Sequence, residues 1–185
     1  MADQPGRAFH WLADRLGHEL YVSYIVVTFF VIVATAYRRR GTEGVALAWW
    51  MPDIALVTTI FGDAFKLKLP AGFHFGSYGD YIFNATRPYS HGVGDHGFPS
   101  GHTMFAFAIS FLVAEIDPRA GALWYAFAVA VGWGRVESAA HYPYQVLFGA
   151  PMGVIMAWAV THWARGVFFP RLARFSPRRR VETIN

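Results

Sequence analysis

The residues in this chain best suited to chemistry are two histidines, two arginines and a glutamine. His102 closes the run Phe98-Pro99-Ser100-Gly101-His102, and His141 follows Arg135 by six positions. A neutral imidazole attacks phosphorus readily, and a protonated one can give its proton to a leaving alkoxide. Two imidazoles at one phosphate therefore cover both tasks without a metal. Gln145 stands four residues beyond His141, on the same face of a helix. Its side-chain oxygen can accept the imidazole N–H and fix the tautomer. A lone histidine near a membrane interface is an ordinary headgroup contact, so the pair carries weight only beside a phosphate-binding feature.

Such a feature is legible in the same pentapeptide. Pro99 suits the first turn of a helix, where a missing N–H has no consequence. Ser100, Gly101 and His102 would then present backbone N–H groups at the positive end of the helix dipole, with Gly101 allowing close approach. An ordinary capped helix start has the same residues. Arg87 precedes Pro88, which favours an extended backbone, and Arg135 closes an apolar run. Guanidinium forks match phosphate oxygens in bidentate fashion, so the two arginines and the helix mouth together make a phosphate cradle. Each arginine alone reads as a snorkelling headgroup contact. His74, His91 and His96, with Asp80 and Asp95, follow no recognised metal-ligand spacing. They read as polar loop groups around a headgroup, and neither a metal nor another cofactor is expected.

The elements that must hold these groups follow from composition. Of 185 residues, 55% are hydrophobic, 18% aromatic and only 15% charged, too apolar for an average soluble domain. The absence of cysteine excludes disulfides, thiolate chemistry and cysteine metal ligands. The net charge of +4 comes largely from arginine clusters between or after apolar runs. In a membrane protein that pattern reports orientation before any partner, and nucleic acid is not expected.

The fold expected is all-α, a polytopic transmembrane helical bundle of about five spans with an N-terminal amphipathic helix. Residues 1–18 form the interfacial segment, with Phe9, Leu12, Ala13 and Leu16 at helical spacing. Residues 19–164 form the transmembrane domain, and 165–185 a basic tail. The spans are predicted at 20–37, ending on Arg38, Arg39 and Arg40, and at 45–65, kinked by Pro52. Three more follow at 99–116, 120–136 and 143–163. The last carries Gly149, Ala150, Gly153 and Ala157, spaced for close helix packing. Between the second and third lies a long aromatic segment, 66–98, of the kind that is usually functional.

Alternating five spans puts the 66–98 segment, the Ser100 helix start and the 135–142 link on one face. That face holds six Lys and Arg, and the other holds ten. The positive-inside rule makes the ten-charge face cytoplasmic and the chemical face external.

Arg-Pro at 87–88, Pro-Ser-Gly-His at 99–102, and Arg135 to His141 with Tyr142-Pro143 and a small-residue helix behind it resemble a three-part signature. It is that of the type-2 phosphatidic acid phosphatase superfamily, membrane lipid phosphatases whose site is shared with vanadium haloperoxidases and glucose-6-phosphatase. The resemblance covers about residues 50–160. It implies that His141 attacks phosphorus to give a phosphohistidine and that His102 protonates the leaving group. Arg87, Arg135 and the Ser100 and Gly101 amides would hold the phosphoryl oxygens, with no metal required. The family's first motif has a lysine seven residues before its arginine, where this chain has Asp80. Lys66 is taken to keep that role after an insertion, with Lys68 as the spare. Gln145 stands where the family has an aspartate supporting the nucleophile.

The activity implied is an integral membrane lipid phosphatase at the outer face of a bacterial inner membrane. Its substrate would be a phosphomonoester or pyrophosphate of the polyprenyl diphosphate, phosphatidylglycerophosphate, phosphatidic acid or lipid A type. The same residues also suit a lipid phosphotransferase, or a catalytically weakened protein that binds or transports lipid phosphates.

Overall fold

A computed structural model describes residues 20–66, 97–163 and 166. Among these residues the chain is helical, with five helices and no strand. In chain order they are α1 (Leu20–Ala48), α2 (Met51–Lys66), α3 (Gly101–Ile116), α4 (Pro118–Glu137) and α5 (Pro143–Trp163). The expected interfacial helix at 1–18 and the basic tail lie outside the described residues, as does most of the 66–98 segment.

The first two helices divide differently from the expectation. The helix that begins at Leu20 runs on through Arg38, Arg39 and Arg40, a little past the expected end at 37. The break comes at Gly41, whose φ of 59° and ψ of −135° interrupt α1. Glycine reaches that left-handed φ without the steric penalty a side chain brings. The chain turns at Trp49-Trp50, and Pro52 lies in the first turn of α2 rather than at a mid-helix kink. In that turn no intrahelical carbonyl awaits its absent N–H, so the helix proceeds undisturbed.

Helix α3 is apolar on every side, and such a helix has to be enclosed. It packs against each of the other four helices. Its buried residues include Met104, Phe105, Ile109, Leu112 and Ile116. Its hydroxyls are accommodated locally: Ser110 Oγ donates to the Ala106 carbonyl at 2.8 Å. Thr58 of α2 and Thr161 of α5 make the same bond at 2.8 Å, to Ile54 and Ala157.

The surrounding helices leave many of their large apolar residues exposed, and α5 turns only small or polar ones inward. On α5 the buried positions are Gln145, Gly149, Gly153, Ala157 and Thr161, one every four residues. The stripe brings α5 against the α3 backbone so closely that a Cβ at Gly153 would fall on the Met104 carbonyl oxygen. Leu147, Phe148, Ile155 and Trp158 are exposed. On α1 the buried positions include Thr28, Ile32 and Ala36, whereas Val27, Phe30 and Tyr37 are exposed, each above 60%. Such contiguous apolar exposure is what water disfavours and lipid accepts. By length and composition α5 can cross a membrane, and α3 and the Met51–Gly62 part of α2 are shorter apolar helices.

At the end opposite the candidate site, Asp117 joins three helices. Its Oδ1 accepts the Arg119 N–H at 3.0 Å and so caps α4, with Pro118 in the first turn. Its Oδ2 lies 3.1 Å from Arg39 Nε on α1.

Candidate active site

Helix α3 begins two residues later than predicted, at Gly101 rather than Pro99. Pro99 precedes the helix, and Ser100 is its N-cap, extended at φ −68° and ψ 104°. Ser100 is wholly buried, and its N–H donates to the Gln145 carbonyl at 3.1 Å. This corrects the expectation that the Ser100 amide faces an anion: that donor instead ties α3 to α5. The Ser100 hydroxyl lies 3.0 Å from the Thr103 hydroxyl and makes no capping bond to the helix backbone. Gly101 and His102 are the first helical positions, half-buried, where the helix has no carbonyl of its own for the backbone N–H groups.

The α4–α5 link folds tightly onto the end of α4. Arg135 occupies the last turn of α4 and is 4% exposed. Its carbonyl accepts the N–H of Ala140 at 3.1 Å and of His141 at 3.0 Å. The Ser138 N–H reaches the Gly134 carbonyl, and the Ala139 N–H reaches that of Val136. Closing the turn needs Ala139 at φ 50°, where a residue with a Cβ is strained by about 1 kcal/mol. The result is that His141 begins its segment directly on the main chain of Arg135. Six positions of sequence become one hydrogen bond.

The His141 ring, 2% exposed, places Nδ1 3.1 Å from Gln145 Oε1. The same Oε1 accepts the Tyr142 backbone N–H at 3.1 Å. That second bond decides the first. A backbone N–H can only donate, so the amide oxygen must face it, and the other group meeting that oxygen must donate too. His141 therefore carries its proton on Nδ1 when neutral, and its lone pair on Nε2. Gln145 is fully buried, and its Nε2 stands 3.4 Å from the Tyr144 hydroxyl. Gly97 lies against this amide: a Cβ there would meet Gln145 Oε1 at 2.6 Å. Aromatic rings wall the cluster, Tyr142 stacking on Tyr144 at 5.9 Å and Phe98 on Tyr144 at 6.5 Å.

The structure thus links Ser100, Gln145, His141 and Arg135 through consecutive hydrogen bonds. The links at Tyr142 and Gly97 were missed by sequence reasoning. Gly97 carried a signal, since a glycine just before a Phe-Pro helix entry marks a close approach. Lys66 ends α2, and nothing is described of its side chain; Lys68 and Arg87 lie outside the described residues. Asp80, Asp95, His74, His91 and His96 lie outside them as well. Among the described residues no three of His, Cys, Asp or Glu are grouped to hold a metal ion.

Residues 53–168 match the PAP2 superfamily, a stretch that is more than half of the chain and contains every described site residue. The chain belongs to the PAP2 superfamily, whose relatives here include phosphatases. It is 35% identical over 167 residues to the lipid A 1-phosphatase of Rhizobium johnstonii, covering 85% of this chain and 66% of that protein. It is 26% identical over 160 residues to human glucose-6-phosphatase 3, covering 73% of this chain and 44% of that one. It is 44% identical over 63 residues to the bacitracin transport permease protein BcrC of Bacillus licheniformis, covering 34% and 31%. The chain therefore spans between about a third and two thirds of the length of these relatives. No solved structure matches it.

Proposed function

We propose that this protein is an integral membrane lipid phosphatase, hydrolysing a phosphomonoester or pyrophosphate on a lipid through a phosphohistidine. The observation that carries the reading is the doubly accepting Gln145 oxygen, which assigns the Nδ1–H tautomer to His141 and so puts the lone pair on Nε2, the nitrogen that would act as nucleophile. In the proposed reaction Nε2 attacks phosphorus and the P–O bond to the lipid breaks. His102 gives its proton to the departing oxygen. Water then attacks the phosphohistidine, with His102 accepting its proton, and inorganic phosphate leaves. Arg135, the Gly101 and His102 amides, Lys66 at the end of α2 and, from the segment not described, Arg87 hold the phosphoryl oxygens. Gln145 positions the nucleophile.

The outward apolar faces of α1 and α5 support a membrane setting. The excess of Lys and Arg on the Arg39 and Arg119 side supports an external site. Similarity to a lipid A 1-phosphatase supports a lipid-borne phosphate as the substrate.

Phosphate release from phosphatidic acid, polyprenyl diphosphate and lipid A in mixed micelles tests the reading, with chelator present throughout. Wild-type protein is expected to release phosphate from at least one of them, and His141→Ala to lose at least about 10³-fold in rate. An acid-labile, base-stable phosphoryl label should appear on the wild type alone. Equal release by His141→Ala would remove the nucleophile assignment.

A further inference from the structure

The side chain of Gln145 has two polar ends, and the imidazole uses only one of them. Oε1 accepts the Tyr142 N–H and the His141 Nδ1–H, each at 3.1 Å. Nε2 is a donor on a wholly buried residue, so it needs an acceptor inside the protein. That acceptor is the Tyr144 hydroxyl, 3.4 Å away. Neighbouring positions on a helix point about 100° apart and do not ordinarily meet. Here the length of tyrosine closes the distance, and other rings hold it in place. Tyr144 stacks on Phe98, with centroids 6.5 Å apart and planes 22° apart, and on Tyr142, at 5.9 Å and 11°. Gly97 closes over the same amide, where a Cβ would stand 2.7 Å from Nε2. A phenylalanine would serve the stack as well as a tyrosine. What the hydroxyl adds is an acceptor for the amide.

The acceptor bears on the nucleophile through the amide. A buried donor left without a partner costs more than the bond it replaces, and the amide relieves that cost by turning. Turning draws Oε1 away from Nδ1. The ring proton then settles on Nε2 in a share of the molecules, and these have no Nε2 lone pair to attack phosphorus. We propose that Tyr144 is a positioning residue: its hydroxyl anchors the Gln145 amide and thereby keeps the His141 proton on Nδ1. This deepens the phosphatase reading and rests on it, since it takes His141 Nε2 as the nucleophile.

Tyr144→Phe keeps the stacked ring and removes the hydroxyl alone. Phosphate release by the full chain in mixed micelles is measured on whichever of phosphatidic acid, polyprenyl diphosphate and lipid A turns over fastest. The variant should lose about tenfold in kcat, the loss of one net hydrogen bond, with KM within about twofold of wild type. Gln145→Glu supplies the control. A carboxylate has no N–H to satisfy, and either oxygen can take the Nδ1 proton. In that background the further change Tyr144→Phe should alter kcat by less than about threefold. An equal loss in both backgrounds would mean that the hydroxyl acts on something other than the amide, and no loss in either would mean that it does not act at all. Both results would overturn the proposal.

A second measurement reads the tautomer without turnover. In protein labelled with 15N-histidine and held in detergent, protonated and bare ring nitrogens resonate far apart, and His141→Ala identifies the His141 signals. Wild type should carry its proton on Nδ1, and Tyr144→Phe should show a mixture of the two tautomers. Gln145→Glu should keep Nδ1 protonated with or without the tyrosine hydroxyl. An unchanged tautomer in Tyr144→Phe would overturn the proposal even if the rate fell. The expected spectra without phosphate release from any of the lipids would uphold the role of Tyr144 while overturning the phosphatase reading.

Discussion

The backbone N–H of Ser100 donates to the carbonyl of Gln145 at 3.1 Å, and the side chain of that same glutamine receives His141 Nδ1 at 3.1 Å. One residue thus uses its main chain to seat the mouth of α3 and its side chain to orient an imidazole. The two functions can be separated by mutation, because substitution leaves the carbonyl in place.

Gln145→Leu keeps roughly the volume and removes Oε1. The buried ring then loses the acceptor that defines its tautomer, and the Tyr142 N–H loses its partner. In a serine protease the corresponding loss of tautomer control lowers kcat by about 10⁴. A fall of about 10² to 10⁴ in phosphate release is expected here, with helical circular dichroism retained. Gln145→Glu keeps an oxygen at the same reach and adds a charge that stabilises the imidazolium formed during reaction, so turnover should be held or raised. A Leu variant within about threefold of wild type would mean that Oε1 does not orient the nucleophile.

The glycines of α5 separate stability from catalysis. A Cβ at Gly153 would fall on the Met104 carbonyl, one turn below the site, whereas one at Gly149 would meet the Ser100 carbonyl at 2.9 Å. Both sit where α3 and α5 approach backbone to backbone, so neither contact is relieved by a side-chain rotation. Gly153→Ala should destabilise the fold by about 1–3 kcal/mol, the usual consequence of overpacking. It should leave kcat per folded molecule near wild type. Gly149→Ala displaces Ser100 itself and should lower kcat/KM at least about tenfold for a similar drop in Tm. Thermal unfolding in detergent, set beside initial rates, checks the pair. Proportional effects in both variants would contradict the assignment of Gly149 to the site.

The degree to which this architecture could be read in advance followed the range of the interactions. Helix α5 is legible at 143–163 because a proline opens it and an apolar run sustains it. The His141–Gln145 contact is legible because four residues make one helical turn. The arginine cluster at 38–40 marks the end of the first apolar run to within a turn, since the backbone breaks at Gly41. What charge patterning does not record is that the helix resumes beyond the break and reaches Ala48. The Ser100 amide misleads: its acceptor is a main-chain carbonyl 45 positions away, and no side-chain pattern records a backbone bond.

At the other end of the bundle, Asp117 makes two interactions of different worth. Its Oδ1 caps α4 through the Arg119 N–H at 3.0 Å, and its Oδ2 pairs with Arg39 Nε at 3.1 Å. The arginine side chain is 61% exposed, so solvent screens the pair. Arg39→Ala is then expected to cost less than about 1 kcal/mol. The cap is local and survives an amide, since Asn offers the same oxygen. Asp117→Asn should therefore match Arg39→Ala, and Asp117→Ala should lose about 1 kcal/mol more. High salt should erase the Arg39→Ala deficit while leaving the difference between the Ala and Asn variants intact. Unfolding midpoints in detergent at low and high salt measure this. If Asp117→Asn proved as destabilising as Asp117→Ala, the ion pair rather than the cap would be holding the α3–α4 turn.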